Sequence, residues 1–118
     1  MKLKNKEIYQ HAIKLKDFSF DLYIPVKIGF FLQKNITTIL TEANAVEEAK
    51  INVGKRLGEL NAEGTQYHIP QDKMELATQE VNDLFEIEQD LDIHIFSLSD
   101  FEGIELPFSQ LQTIAFMI

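Results

Sequence analysis

Three side chains near the C-terminal third have the types and spacing to share a cation. Asp90, Asp92 and His94 alternate with Leu91, Ile93 and Ile95, so an extended segment here would place two carboxylates and an imidazole on one face and three aliphatics on the other. Oxygen and nitrogen donors in such a row suit a divalent metal. A calcium loop of the helix–loop–helix kind is excluded. Counted from Asp90, its sixth position would be Ile95 where glycine is required, and its twelfth Phe101 where glutamate is required. The alternation equally describes an amphipathic strand with one wet face, and that is the preferred reading.

Other chemistry has less to stand on. His11, His68 and His94 show no paired zinc spacing, and Ser19, Ser97, Ser99 and Ser109 sit in no nucleophile elbow. The chain has no glycine-rich phosphate loop. With no cysteine there is neither a thiolate ligand nor a disulfide framework. No enzymatic activity and no cofactor are expected.

The elements that must position these residues are helical. From Leu32, steps of four and three land on Ile36, Ile39, Ala43, Val46, Lys50, Val53, Leu57 and Leu60, and all but Lys50 are apolar. This is the seam of a long helix, read as Val26–Asn61 after Pro25. Lys50 either snorkels to water or reaches Glu88 across the seam. Gly29 and Gly54 suggest a close approach by another element. A second arm follows, opened by Asp72 with Glu75 three residues on as a capping box and running to about Gln89. Met74, Ala77, Val81, Leu84, Glu88 and Leu91 form its seam. Asn61–Gly64 makes the turn between them, and 65–69 is strand-like.

Flanking segments complete the pattern. Residues 5–16 read as a first helix capped by Asn5, with Ile8, Ala12 and Leu15 inward. Residues 17–24 form a connector whose Phe18, Phe20 and Tyr23 would plug one end of the hairpin. After a turn over 97–105, where Ser99 or Asp100 can cap and Gly103 reverses the chain, a last helix starts at Leu106-Pro107. Its inward residues are read as Phe108, Leu111, Ile114, Ala115 and Ile118. The expected fold is a single domain over 1–118, mainly α with a minor β part. It is a long antiparallel helical hairpin with flanking N- and C-terminal helices and a small two-stranded β element from 65–69 and 91–96.

Charge narrows the partners. Of the net −8, residues 1–40 hold seven lysines against three acids, and 41–118 hold four basic groups against sixteen acidic ones. A basic front and an acidic back can steer a partner or stack copies head to tail, or merely keep the surface solvated. Lys2, Lys4 and Lys6 are a weak phosphate signal, because no aromatic or arginine platform accompanies them, so nucleic acid is not an expected partner. No apolar run is long enough to span a bilayer, and the lysine-rich start leads into a polar helix, so neither a membrane association nor an export signal is expected. Glu80, Asp83 and Glu86 mark an acidic face on the second arm suited to a protein partner. Phe116, Met117 and Ile118 end the sequence in an apolar turn that must be buried, within the chain or against another.

Several soft blocks span nearly the whole sequence: Met1-Lys2-Leu3-Lys4-Asn5, Ile24-Pro25-Val26-Lys27, Lys34-Asn35 and Gly58-Glu59-Leu60. Ile69-Pro70, Asn82-Asp83-Leu84-Phe85, Phe101-Glu102-Gly103-Ile104-Glu105-Leu106 and Ala115-Phe116-Met117-Ile118 extend them. In these the chain resembles a family of small uncharacterised proteins of tailed phages and prophages of Gram-positive bacteria. The resemblance carries no catalytic or binding residue with it. It implies a viral origin, a location in the host cytoplasm or in the virion, and a role played by binding protein, either a phage or host protein or a second copy. The expectation is a homo-oligomeric accessory protein of virion or tail assembly. The alternative is an inhibitor of a host defence or replication protein that uses the acidic arm.

Overall fold

The computed structural model describes residues 1–18 and 24–118. The chain is mainly helical, with two short antiparallel ladders. Strand β1 (Lys2–Lys4) leads into α1 (Asn5–Leu15), and α2 (Val26–Leu57) follows. Then come β2 (Glu59–Leu60), β3 (Tyr67–His68), a 3-10 turn (Gln71–Lys73), α3 (Met74–Glu86) and β4 (Glu88–Asp90). A second 3-10 turn (Leu98–Phe101), α4 (Phe108–Ile114) and a closing 3-10 turn (Ala115–Met117) end the fold. Helix α2 has 32 residues, which at 1.5 Å each is about 48 Å. It sets the long dimension of a 57 × 29 × 21 Å molecule. The radius of gyration is 18.2 Å, against about 13–14 Å for a compact chain of this length.

The apolar stripe on α2 is real, but its two halves have different partners. Leu32, Ile36, Ile39 and Ala43 join Ile8, Ala12 and Leu15 of α1, Leu91, Ile93 and Phe96, and Phe101, Ile114 and Met117 in the main core. Val53 and Leu57 form a separate small cluster with Ala77 of α3, flanked by Ile69 and Val81. The molecule is therefore a packed body with a lean two-helix arm. Lys50, between the halves, does not meet Glu88. Its ammonium lies 5.9 Å from the Tyr9 ring centroid, a cation–π placement at an exposed position.

Local chemistry shifts several boundaries. Asn5 does not cap α1: Lys4 is the cap residue, and its N–H donates to the Glu7 carboxylate at 3.0 Å. Asn5 is instead buried, its amide donating to the Leu84 carbonyl at 2.9 Å and its carbonyl accepting from Gln89 at 2.7 Å. One side chain thus gives a second donor to the Leu84 carbonyl, which also accepts from Ile87 N–H at 3.3 Å, and ties that arm to α1. Asp72 does not cap α3 either, because the 3-10 turn over Gln71–Lys73 runs straight into the helix. In the connector, Phe18 packs on the main core, while Phe20 and Tyr23 lie outside the described residues.

The strand-like stretches pair differently from expectation. Tyr67–His68 pairs with Glu59–Leu60 across the Asn61–Gly64 turn, with Leu60 opposite Tyr67. The other ladder is β1 with β4, with Lys2 opposite Asp90 and Lys4 opposite Glu88. The two pairs stand at different ends of α3, so 65–69 and 91–96 cannot meet. Gly64 takes φ 71°, where glycine is favoured.

Close backbone approach occurs at Gly58 and not at Gly29 or Gly54. A Cβ on Gly58 would collide with the Gly54 carbonyl oxygen and come within 3.2 Å of the His68 carbonyl oxygen, whereas nothing lies within 4 Å of a Cβ on Gly54. Gly54→Ala is therefore expected to stabilise the protein by up to about 1 kcal/mol through helix propensity. Gly58→Ala should destabilise it and loosen the β2–β3 ladder. Chemical denaturation of the pair checks both signs; equal shifts in one direction would refute the assignment.

Candidate functional site

The segment that carries Asp92 and His94 is extended but belongs to no sheet, and its hydrogen bonds show why. Leu91 donates to the Met1 carbonyl at 2.7 Å, and the Met1 ammonium donates back at 2.8 Å. Ile93 N–H turns in on the Leu91 carbonyl at 3.0 Å, a one-residue kink. The side chain of Asn35, on α2 and 1% exposed, then acts as a strand partner for residue 94. Its Oδ1 accepts from His94 N–H at 2.9 Å, and its Nδ2 donates to the His94 carbonyl at 2.9 Å. Nδ2 also lies 3.3 Å from Met117 Sδ. Phe96 N–H donates to the Met117 carbonyl at 2.7 Å. A buried backbone must find partners somewhere, and here a helix side chain and the C-terminal turn supply them.

That kink parts the three candidate ligands. Asp90 accepts from the Met1 ammonium at 3.1 Å, Asp92 is exposed, and the His94 ring stacks on Phe31 with centroids 3.9 Å apart. Phe96 meets the same imidazole edge-on at 4.8 Å. The aliphatic face splits too: Leu91 and Ile93 are buried, but Ile95 is 54% exposed. The Asp90–Asp92–His94 row is therefore not formed. Among the described residues no three His, Asp or Glu side chains stand together as a metal cage.

The acidic face of α3 exists, but it is partly neutralised from within the chain. Glu80 pairs with Arg56 of α2, and Asp83 accepts from Gln79 at 2.8 Å. Glu86 accepts from Lys4 at 2.7 Å and Lys6 at 2.9 Å. Hydrogen bonds from Lys4 and Lys6, with their charges, hold the Glu86 carboxyl at a pKa of about 2. The same pairing raises the Lys4 ammonium. A small part of the front-to-back charge asymmetry of the sequence is thereby cancelled in space, where the acidic segment 86–90 folds back onto the lysines of 2–6. Because the folded carboxyl titrates below its unfolded value of 4.5, its contribution is present above pH 4.5 and is lost as pH falls toward 2. A carboxyl-resolved NMR titration should place Glu86 near 2 and move it toward 4.5 in Lys4→Gln/Lys6→Gln. An unmoved midpoint would count against these ion pairs.

At the C-terminal end, Met117 is fully buried in the main core, and Phe116 and Ile118 are half-buried against it. The Phe116 ring stacks on His11 at 3.8 Å, and burial pushes that imidazole below its usual pKa. Met117 is thus withdrawn from any partner surface. At this end, in the last helix and the turn after it, Ile114 and Met117 are buried and Leu111 and Ile118 half-buried, while Phe108 at 72% exposure and Ala115 face outward. The helix is short and ends in a tighter 3-10 turn, which rotates the later residues relative to an α-helical count.

Apolar side chains are also exposed on the arm, where Leu60, Tyr67, Met74, Leu76 and Ile87 are each 41–55% exposed. A groove of about 440 Å³ runs between α2 and α3, with Ala49, Val53, Leu84 and Ile87 as its apolar lining and Arg56, Glu80 and Asp83 at its rim. A second groove, about 370 Å³ between α1 and α2, is lined by Tyr9, Ile13, Leu40 and Glu47. There the Tyr9 hydroxyl donates to Glu47 at 2.9 Å, which raises the phenol pKa. Sequence reasoning missed Leu76 and Ile87 because they fall off the seam; their signal was that two large aliphatics flank an acidic face. It also missed Asn35, although that residue sits between Leu32, Ile36 and Ile39 on the apolar stripe. Compared with protein-family models, with curated proteins and with solved structures, the chain matches none.

Proposed function

We propose that this is a non-enzymatic accessory protein that works by binding another protein. The setting proposed is virion or tail assembly of a phage of Gram-positive bacteria. The observation that carries the binding role is the arm, where Ile51, Leu60, Tyr67, Met74, Leu76 and Ile87 remain 41–55% exposed and Ile87 lines an open groove. Several large apolar side chains left half-exposed on one element are a mark of an interaction site. The phage setting rests on the sequence resemblance alone. Host inhibition through the acidic arm gains less support, because Glu80 and Glu86 are already paired with Arg56, Lys4 and Lys6.

Mass spectrometry of purified virions tests the assembly role. The chain should be present in fixed ratio to the known structural proteins, and its absence from complete particles would overturn that assignment.

A further inference from the structure

The β1–β4 ladder has one open edge. Met1 and Leu91 exchange bonds of 2.7 and 2.8 Å, and Asn5 N–H donates to the Ile87 carbonyl at 2.9 Å. Hydrogen-bonded pairs alternate along an antiparallel ladder. Leu3 and Gln89 are therefore the bonded pair between these two, and the main-chain groups of Lys2, Lys4, Glu88 and Asp90 point out of the ladder. On the β1 side the edge is closed at Lys4, whose N–H is taken by the Glu7 carboxylate. On the β4 side it is open. The N–H and C=O of Glu88 and of Asp90 have no partner among the described residues, and both residues are exposed. No element other than β1 runs close along β4.

We propose that this edge takes an extended, basic segment of a protein partner as a third strand. The proposal rests on the reading that the chain works by binding protein, and it names the chemistry of what is bound. A strand laid antiparallel along β4 exchanges hydrogen bonds with Glu88 and with Asp90, and so completes four main-chain groups. Side-chain charge selects its composition. Glu88 and Asp90 share one face of β4, and Asp92 is exposed just beyond them. Neither Glu88 nor Asp92 has an ion-pair partner among the described residues. Basic side chains opposite Glu88 and Asp90 complement this charge, and Lys4 on the neighbouring strand is already turned to Glu86. On the other face Ile87, 51% exposed, gives the alternate positions an apolar neighbour. The same charges tell against a second copy of this chain. Pairing one β4 edge with another sets acid against acid, and like charges opposite one another destabilise a ladder. The basic β1 of a second copy is not available, because its own outer edge is closed at Lys4.

Amide NMR of the full chain, titrated with the capped peptide acetyl-Lys-Val-Lys-Val-Lys-amide, tests this. The Glu88 and Asp90 amide resonances should shift saturably, and their exchange with solvent should slow. The same peptide N-methylated at its lysines keeps its charge but loses the donors that face the edge. It should bind about tenfold more weakly or worse, the loss expected for two main-chain hydrogen bonds. Glu88→Gln/Asp92→Asn, at two exposed positions, should leave the spectrum of the body unchanged and weaken binding about threefold or more. Equal binding by the methylated peptide would show attraction by charge alone and overturns the proposal. So do shifts confined to Glu80 and Asp83 on α3, or no shift at Glu88 and Asp90 at millimolar peptide. Protection of those two amides that rises with protein concentration in the absence of peptide also overturns it, in favour of a second copy. The result is separable from the phage assignment: a chain found in virions that takes no peptide on β4 removes only this edge, and a peptide-binding chain absent from virions removes only the assignment.

Discussion

Asn35→Leu is expected to destabilise the protein by about 3 kcal/mol or more, although it replaces a polar side chain in the core by an apolar one of similar size. The reason lies in what the amide holds. Asn35 Oδ1 and Nδ2 each make a 2.9 Å bond to the main chain of His94. Removing both leaves a part-buried N–H and a part-buried carbonyl without their partner, at about 1–3 kcal/mol each. Asn35→Asp separates the two bonds, since a carboxylate still accepts from the His94 N–H but no longer donates to its carbonyl. It also carries a charge into a site that is 1% exposed, so it should be at least as damaging. The measurement is urea unfolding followed by circular dichroism. A loss below about 1 kcal/mol for Asn35→Leu would mean that the 91–96 segment finds other partners, and the account of its conformation would fall.

The second large effect concerns where stability resides. Ile39→Ala should cost about 3 kcal/mol, within the range for emptying a fully buried aliphatic site. Ile39 is 0% exposed at the centre of the main core. For a domain with a total stability of about 5–15 kcal/mol, that loss is global. The arm should behave differently. With only Val53, Leu57 and Ala77 in its cluster, α3 should open locally, and its amides should exchange with solvent at a lower free energy than those of α1 and the first half of α2. Native-state hydrogen exchange reads this directly. Ile39→Ala should lower protection throughout the chain, while the gap between α3 and α1 persists. Equal protection of α3 and α1 at concentrations where the chain is monomeric would refute a two-tier fold.

The hairpin, the α2 stripe, the Asn61–Gly64 turn and the helical character of the chain were legible because each is written in local periodicity or turn chemistry. Leu32, Ile36, Ile39, Ala43, Val46, Val53 and Leu57 are all buried where the four-and-three stepping places them. The short turn expected near Ser99 and Asp100 is present, but its cap residue is Ser97, whose N–H donates to Asp100 at 2.9 Å, and Gly103 takes φ 80°. The candidate site was less legible. Alternation around Asp90, Asp92 and His94 described a flat strand, but a side chain from α2 and the Met1 ammonium claimed its backbone instead. Glu80, Asp83 and Glu86 were correctly placed on one arm. The pairing of Glu80 with Arg56 and of Glu86 with Lys4 and Lys6 spans 24 to 82 residues of chain, a separation at which local pattern carries no information.

By itself, the sequence determined which segments are helical and which face of the long helix is apolar, because both follow from spacing within a few turns. Only the tertiary structure decided what each face is spent on. It divided one α2 stripe between a full core and a thin arm, made Asn5 and Asn35 into buried clamps, and drew Met117 inward. Those outcomes depend on which distant backbone groups and charges meet, and pairing at that range is settled by the whole packed chain.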